Sequence, residues 1–338
     1  MPDASPVVPA DRTGPRVFEG TPLRTLDEDA LLARVLPLYP TGPDLQVPPG
    51  DDAAVVATSP RTVATTDTVV LGRDWLDEWS SGADVGHKVV AQNLADVAAM
   101  GAVPTGVLLT LVADPEVGLE WVVDHARGVA RACRDAGVAV LGGDLSSASA
   151  GVVMVSVTAL GRLDVDPVLR SGARPGDVLA VRGELGLAAA GLLLLQQGRA
   201  DRHPDAVARQ RRPRPPLADG PAAARAGATS MLDLSDGLAR DAGRVARASD
   251  VVVEVEEAAL APDVDRLREA LGEREALDCV LSGGEDHALL ATFVPGGLPA
   301  GWRRLGSVRA RRAGEAARLL VDGRPVTRPG WDHFTPGG

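Results

Sequence analysis

The chain has 338 residues, 45% of them apolar, and a formal net charge of −11, which predicts a globular protein of two domains. The acidic balance argues against a nucleic-acid partner, whose binders usually carry a basic face. No apolar stretch approaches the roughly 20 residues that a membrane-spanning helix needs, so no membrane partner is expected.

Met1–Arg16 is polar and Pro-rich without the apolar centre of a secretory signal, and it reads as a loose tail. Leu26–Leu36 has helical periodicity and ends at Pro37. A Pro/Gly-rich link, Pro40–Pro49, leads to Gly50-Asp51-Asp52 and a short strand, Ala53–Ala57. Arg61–Leu71 is rich in β-branched residues and reads as a strand, with Thr65-Thr66-Asp67-Thr68 in its middle, as if the strand turned into a site there. Asp84–Met100 is a helix capped by Asp84 and stopped by Gly101. Gly106–Val112 is a strand, Leu119–Ala136 an amphipathic helix, and Val138–Leu141 a strand that delivers Gly142-Gly143-Asp144 to a loop. Gly151–Gly161 closes the first half, and the turn formers of Arg170–Asp177 mark the joint. This places a tail at 1–16, one domain at 17–162 and a second at 163–338.

The second half begins with strand Val178–Val181 and helix Leu187–Gln197. An Arg/Pro-rich loop, Arg209–Pro216, precedes helix Leu217–Ala226 and strand Ser230–Asp233. After Asp233-Leu-Ser-Asp-Gly237 a helix runs to about Ala248, with Ser235 or Asp236 as its cap, and strand Val251–Val255 follows. Ser282-Gly-Gly-Glu-Asp286 comes before strand Ala288–Phe293, and a hairpin over Arg318–Val326 turns at Asp322-Gly323.

Five acidic words recur along this layout, most of them after apolar runs, where α/β proteins build their sites. They are Gly50-Asp51-Asp52, Thr65–Thr68, Asn93–Asp96, Gly142–Asp144 and Asp233–Gly237. Carboxylates and hydroxyls are hard oxygen donors suited to Mg²⁺ between phosphates. Lys88, Gln92 and Asp96 share one helix face, set either to meet a phosphate and its metal or to form an exposed salt-bridging surface. Asp51-Asp52 is also ordinary turn chemistry. Gly142-Gly143-Asp144 permits close approach to a ligand but equally fits a plain loop. Arg170 either pairs with phosphate or is an exposed loop arginine. The sequence lacks G-x-x-x-x-G-K-[ST] and G-x-G-x-x-G, which excludes a P-loop and the dinucleotide fingerprint. Its five histidines have no zinc spacing. Cys133 and Cys279 are far apart, predicting no disulfide and a reducing cytoplasm. The pattern reads as a Mg²⁺-dependent ATP enzyme without a P-loop.

Gly50-Asp-Asp, Thr66-Asp67-Thr68, Gln92–Ala102, Gly142-Gly-Asp, Arg170–Asp177, Asp233–Leu238, Ser282–Asp286 and Gly330–Phe334 together resemble the thiamine-monophosphate kinase family, from about residue 26 to the end. The resemblance implies an α/β (α+β) two-domain fold like that of aminoimidazole ribonucleotide synthetase. Its N-terminal sheet would pair across a homodimer, and its C-terminal α/β domain would complete the cleft. It implies ATP and thiamine monophosphate as substrates, several Mg²⁺ ions, and direct in-line transfer. Asp52, Thr65, Thr66, Asp67, Asp96, Asp144, Asp233 and Asp236 would bind metal, with Asp67, Asp96 and Asp144 central to catalysis. Gly143, Asp144, Arg170 and Ser235 would contact ATP. Asp74, Glu285 and Trp331 would face the substrate, although family members commonly carry a histidine where this chain has Asp74. Two other readings stay open: an ATP-dependent synthetase of the same superfamily, and a nucleotide-binding protein that has lost catalysis.

Overall fold

In the computed structural model, which describes residues 14–48, 54–326 and 330, the chain divides into two units. One comprises residues 1–97 and 104–162, the other residues 98–103 and 163–338. Most of the expected tail, the word Gly50-Asp51-Asp52 and everything from Trp331 onward lie outside the described residues.

The first unit opens with α1 (Glu28–Val35), capped by the Asp27 side chain, and a small pair, β1 (Leu45–Val47) and β2 (Val55–Val56). Its main elements are β3 (Thr62–Val70), α2 (Gly82–Ala99), β4 (Val103–Ala113), α3 (Leu119–Ala136), β5 (Ala139–Ser147) and β6 (Val153–Arg162). The sheet runs in the order β3-β6-β4-β5, with β3 antiparallel to β6 and β4 parallel to β5. Burial alternates along it. Val153, Val155, Val157 and Ala159 are buried, as are Val107, Leu109 and Leu111, while the intervening Ser156, Thr158, Leu108 and Thr110 face the other way. The buried face carries α2 and α3, whose small residues let the helices touch backbone to backbone: a Cβ added at Gly86 would lie 2.3 Å from the His125 carbonyl.

Two expectations are corrected in this unit. Helix α2 starts at Gly82, because Ser81 and Asp84 form a reciprocal cap in which Ser81 N–H donates to Asp84 Oδ2 (3.0 Å) and Asp84 N–H to Ser81 Oγ (3.2 Å). Gly142-Gly143-Asp144 is not a loop but part of β5, with Leu109 opposite Gly143 and Thr110 opposite Asp144. A Cβ on Gly143 would sit 1.9 Å from the Leu109 carbonyl, so the strand pairing itself demands that glycine.

The second unit contains β7 (Val178–Arg182), α4 (Leu187–Gln196), α5 (Pro204–Arg211), α6 (Asp219–Arg225), β8 (Ser230–Asp233), α7 (Leu238–Ser249), β9 (Val251–Val255), α8 (Ala261–Leu271), α9 (Glu273–Ser282), β10 (Leu289–Phe293), β11 (Arg303–Ala310) and β12 (Arg318–Val321). Its sheet order is β12-β9-β11-β7-β10-β8, antiparallel except for β12 beside β9. Core residues pack on both faces, so β8 and β10 are buried along their whole length and read as continuous apolar runs rather than alternating ones. Three expectations change here. The Arg/Pro loop is helical through Arg211, as α5, with Pro204 in its first turn. Gly237, not Ser235 or Asp236, stands at the N-cap of α7. The hairpin after β12 keeps its turn, with Asp322 and Gly323 at φ 45° and 75°, but its return arm is one bridge, Val321 to Arg324.

Candidate functional site

In the first unit the two-residue period of β3 sorts the Thr65–Thr68 word. Thr65 lies on the helix-covered face and its Oγ1 donates to Asp96 Oδ2 of α2 at 2.8 Å. Asp67 shares that face, two residues further on and opposite the buried Val157. Thr66 and Thr68 point to the other face. There Thr66 Oγ1 donates to the Val157 carbonyl (3.0 Å) and Thr68 Oγ1 to Ser156 Oγ (3.0 Å). Thr65 and Asp96 are joined directly and Asp67 lies on the same face of β3, whereas the Thr66 hydroxyl points to the other face.

Asp144 is not brought to that group either. It stands on β5, the opposite edge of the sheet, beside Thr110 on the exposed face, and accepts from Ser146 Oγ at 3.1 Å. Gly143 goes with it. Among the described residues no group of three or more His, Cys, Asp or Glu is gathered for a metal. Lys88 is only 3% exposed and Asn93 is fully buried, so their face of α2 is not a solvated salt-bridging surface. Asp74 locks the turn after β3, accepting from Val70 N–H at 2.8 Å.

In the second unit the words at the ends of β8 and β10 run side by side. Leu234 N–H donates to the Ala288 carbonyl, His287 N–H to the Leu234 carbonyl (2.9 Å) and Glu285 N–H to the Ser235 carbonyl (2.8 Å). This extends the ladder past the strands while Glu285 and His287 take left-handed backbone, φ 66° and 52°. Gly284 lies so close that an added Cβ would be 2.5 Å from the Ser235 carbonyl. Asp233, 4% exposed, receives His287 Nδ1 on Oδ2 at 3.0 Å. Asp236 is held by Arg244 (Nη2–Oδ2, 2.5 Å), with Arg240 Nε at 3.6 Å. Its amide donates to Asp241 at 2.9 Å. Burial pushes the Asp241 carboxyl up to about 6, and the Asp236 amide and Arg244 oppose that rise. Asp286 belongs to the scaffold: it accepts from Gly186 and Ala188 N–H at the start of α4, and burial pushes it up to about 7. Glu285 lines a cavity of about 490 Å³ together with Glu184, Arg209, Arg214 and Arg303.

The Arg170 carbonyl accepts from Ser230 Oγ (3.3 Å) and Ser249 Oγ (2.8 Å). That anchors it at the opening of β8, roughly 16 Å along the strand direction from Ser235. Gly330 packs against the Asp236 carbonyl, leaving no room for a Cβ (2.1 Å), so the final word begins beside this loop. His287, Asp241, Arg240 and Arg244 escaped the sequence reading. The spacing of Asp236 to Arg240 (i, i+4) was the one signal that pointed to any of them. The donor chemistry fits Mg²⁺: Thr65, Asp67 and Asp96 in the first unit and Asp233 in the second offer only oxygens from their own side chains. Asp236, shared with two arginines, fits less directly.

Residues 50–163 match the family described as AIR synthase related protein, N-terminal domain, and residues 174–298 its C-terminal domain. A thiamine-monophosphate kinase of Mycobacterium tuberculosis is 43% identical over 324 residues, 94% of each chain. The chain belongs to the thiamine-monophosphate kinase family. Among solved structures, the enzyme of that name from Stenotrophomonas maltophilia superposes with a TM-score of 0.73 at 30% identity, covering 88% of this chain and 96% of that one. AaThiL complexed with AMPPCP and TMP gives 0.74 at 29%, covering 81% and 87%.

Proposed function

We propose that this protein transfers the terminal phosphoryl group of ATP to thiamine monophosphate, forming thiamine diphosphate. The reading rests on one observation: a match at 43% identity along nearly the whole length to a kinase of that name, accompanied by a fold shared with AaThiL holding AMPPCP and TMP. The acceptor is itself a phosphate, whose second pKa of about 6 leaves it largely deprotonated near neutrality, so it needs little general-base help. The obstacle is charge, since two anionic groups must approach in line. Mg²⁺, when bound, neutralises that repulsion and aligns the groups.

Asp52, Thr65, Asp67 and Asp96 are the proposed holders of metal in the first unit and Asp233 and Asp236 in the second, with Asp144 and Gly143 acting from β5. The Asp233–Gly237 loop offers Ser235 to the nucleotide, with Arg170 as a further contact, and Arg244 fixes the loop through Asp236. Glu285, in its cavity, and Trp331 would receive the organic half of the substrate. Asp74 would serve there through the turn it locks.

A homodimer is part of the proposal. The unpaired face of the β3-β6-β4-β5 sheet exposes Leu108 (40%) among the hydroxyls of Thr66, Thr68 and Ser156, and a second copy would cover it. A cytoplasmic location fits Cys133 and Cys279, both free and buried. Burial pushes both thiols up to about 12, which also disfavours sibling enzymes that depend on a reactive cysteine. Incubating the purified protein with ATP, Mg²⁺ and thiamine monophosphate should yield thiamine diphosphate by mass spectrometry. Binding of both substrates without product would overturn the reading in favour of a protein that has lost catalysis.

A further inference from the structure

We propose that His287 is a positioning residue for Asp233: it holds one carboxylate oxygen so that the other is presented to a divalent cation. The inference deepens the function proposed above and rests on Asp233 being a metal ligand there. Asp233 is the last residue of β8, opposite Leu289, and is 4% exposed. A carboxylate so placed is costly unless hydrogen-bonded. It has only acceptor atoms, so Nδ1 of His287, 3.0 Å from Oδ2, carries the hydrogen. Among the described residues, His287 is the one hydrogen-bond partner of that carboxylate, and its approach leaves Oδ1 unclaimed.

His287 reaches this position from an unusual backbone. Its φ of 52° is left-handed, and its amide is tied to the Leu234 carbonyl at 2.9 Å. The neighbouring Glu285 and Gly284 fix the same segment against Ser235. The ring is therefore clamped at both ends, by its own backbone and by the carboxylate it serves. Groups that orient a metal ligand in this way typically change metal affinity by about 10- to 100-fold when removed.

Two substitutions separate positioning from mere packing. His287→Phe keeps a ring and loses the donor. His287→Asn loses the ring but sets an N–H at the same bond distance from Cβ as Nδ1. Mn²⁺ binding, followed by electron paramagnetic resonance with a methylene analogue of ATP present, should weaken by about 10- to 100-fold in His287→Phe and stay within about threefold of wild type in His287→Asn. In turnover, the Mg²⁺ concentration for half-maximal rate should rise by the same factor in His287→Phe, while kcat at saturating Mg²⁺ falls less. Unchanged Mn²⁺ affinity in folded His287→Phe overturns the proposal. So does tenfold weakening in folded His287→Asn, a result that decides the matter even if the Phe variant fails to fold. If wild-type protein makes no thiamine diphosphate, the functional reading itself fails. If it does and His287→Phe binds Mn²⁺ normally, only the role given to His287 is lost.

Discussion

A column of three rings, Trp75, Trp121 and His125, should make the first unit acid-labile in a way that one substitution can isolate. The ring centroids are 5.4 Å apart at each step and nearly parallel. His125 Nε2 is buried without a hydrogen-bond partner, and burial pulls the imidazole from 6.5 down to about 4. The unfolded chain binds this proton more readily than the folded one. Stability is therefore fully present above pH 6.5, is lost as pH falls through the window from 6.5 to 4, and does not decline further from this cause below it. The gap corresponds to about 3 kcal/mol in full and to about 2 kcal/mol at pH 5. In His125→Phe the stack persists and nothing titrates. The larger ring costs about 1–3 kcal/mol of overpacking, equally at every pH. Urea unfolding followed by tryptophan fluorescence, to which Trp75 and Trp121 contribute from inside the column, should show wild type losing about 2 kcal/mol more than His125→Phe between pH 7.5 and 5. Parallel losses in the two proteins would refute the argument and assign the acid sensitivity to carboxylates elsewhere.

Three further outcomes follow from the site. Thr65→Val removes the 2.8 Å bond to Asp96 and should lower kcat/KM by tenfold or more with little change in Tm, since a half-exposed bond stabilises the fold by only about 1 kcal/mol; steady-state kinetics beside a thermal melt checks both. Gly284→Ala forces its Cβ to within 2.5 Å of a backbone carbonyl, so ATP-analogue affinity measured by calorimetry should fall along with Tm. Asp67→Asn should reduce turnover by orders of magnitude while circular dichroism stays that of wild type, because the substitution keeps the side chain's size and removes a charge directed at the phosphates.

Element type was legible where a local rule decided it. The ends of β8, β9 and α3 were readable from apolar runs bounded by Gly and Asp. The helix starting at Gly82 was misread by two residues, because Ser81 and Asp84 share the cap and either one alone suggests a different start. Between Val255 and Ser282 the sequence reading places no element, and there two helices, α8 and α9, are separated by Gly272 at φ 84°. At the site, sequence identified residues that carry chemistry and missed those that hold them. Arg244 and His287 act on Asp236 and Asp233 across eight and fifty-four positions of chain, distances set by tertiary packing rather than by any motif, while Asp241 meets Arg244 one helix turn away. Asp286, beside the proposed substrate residue Glu285, serves the scaffold, accepting from the Gly186 and Ala188 amides at the start of α4.

The separation of Asp67 from Asp144 bears most directly on how the active site is assembled. Three strand spacings, about 14 Å, and the full thickness of the sheet lie between them. A side chain spans neither, so the two cannot serve one cluster of cations within a single copy of this unit. If both are needed at one site, as proposed, one of them would come from a second copy. The consequence is measurable by mixing. In a dimer built from Asp67→Asn and Asp144→Asn subunits, one site would carry both defects and the other neither. Random reassortment of the two inactive proteins should then restore about a quarter of wild-type activity. If each site drew both residues from its own copy, every site would keep one defect and the mixture would stay as inactive as its parts. That result would remove the second copy from the catalytic argument and require Asp144 to act elsewhere than on the transferred phosphate.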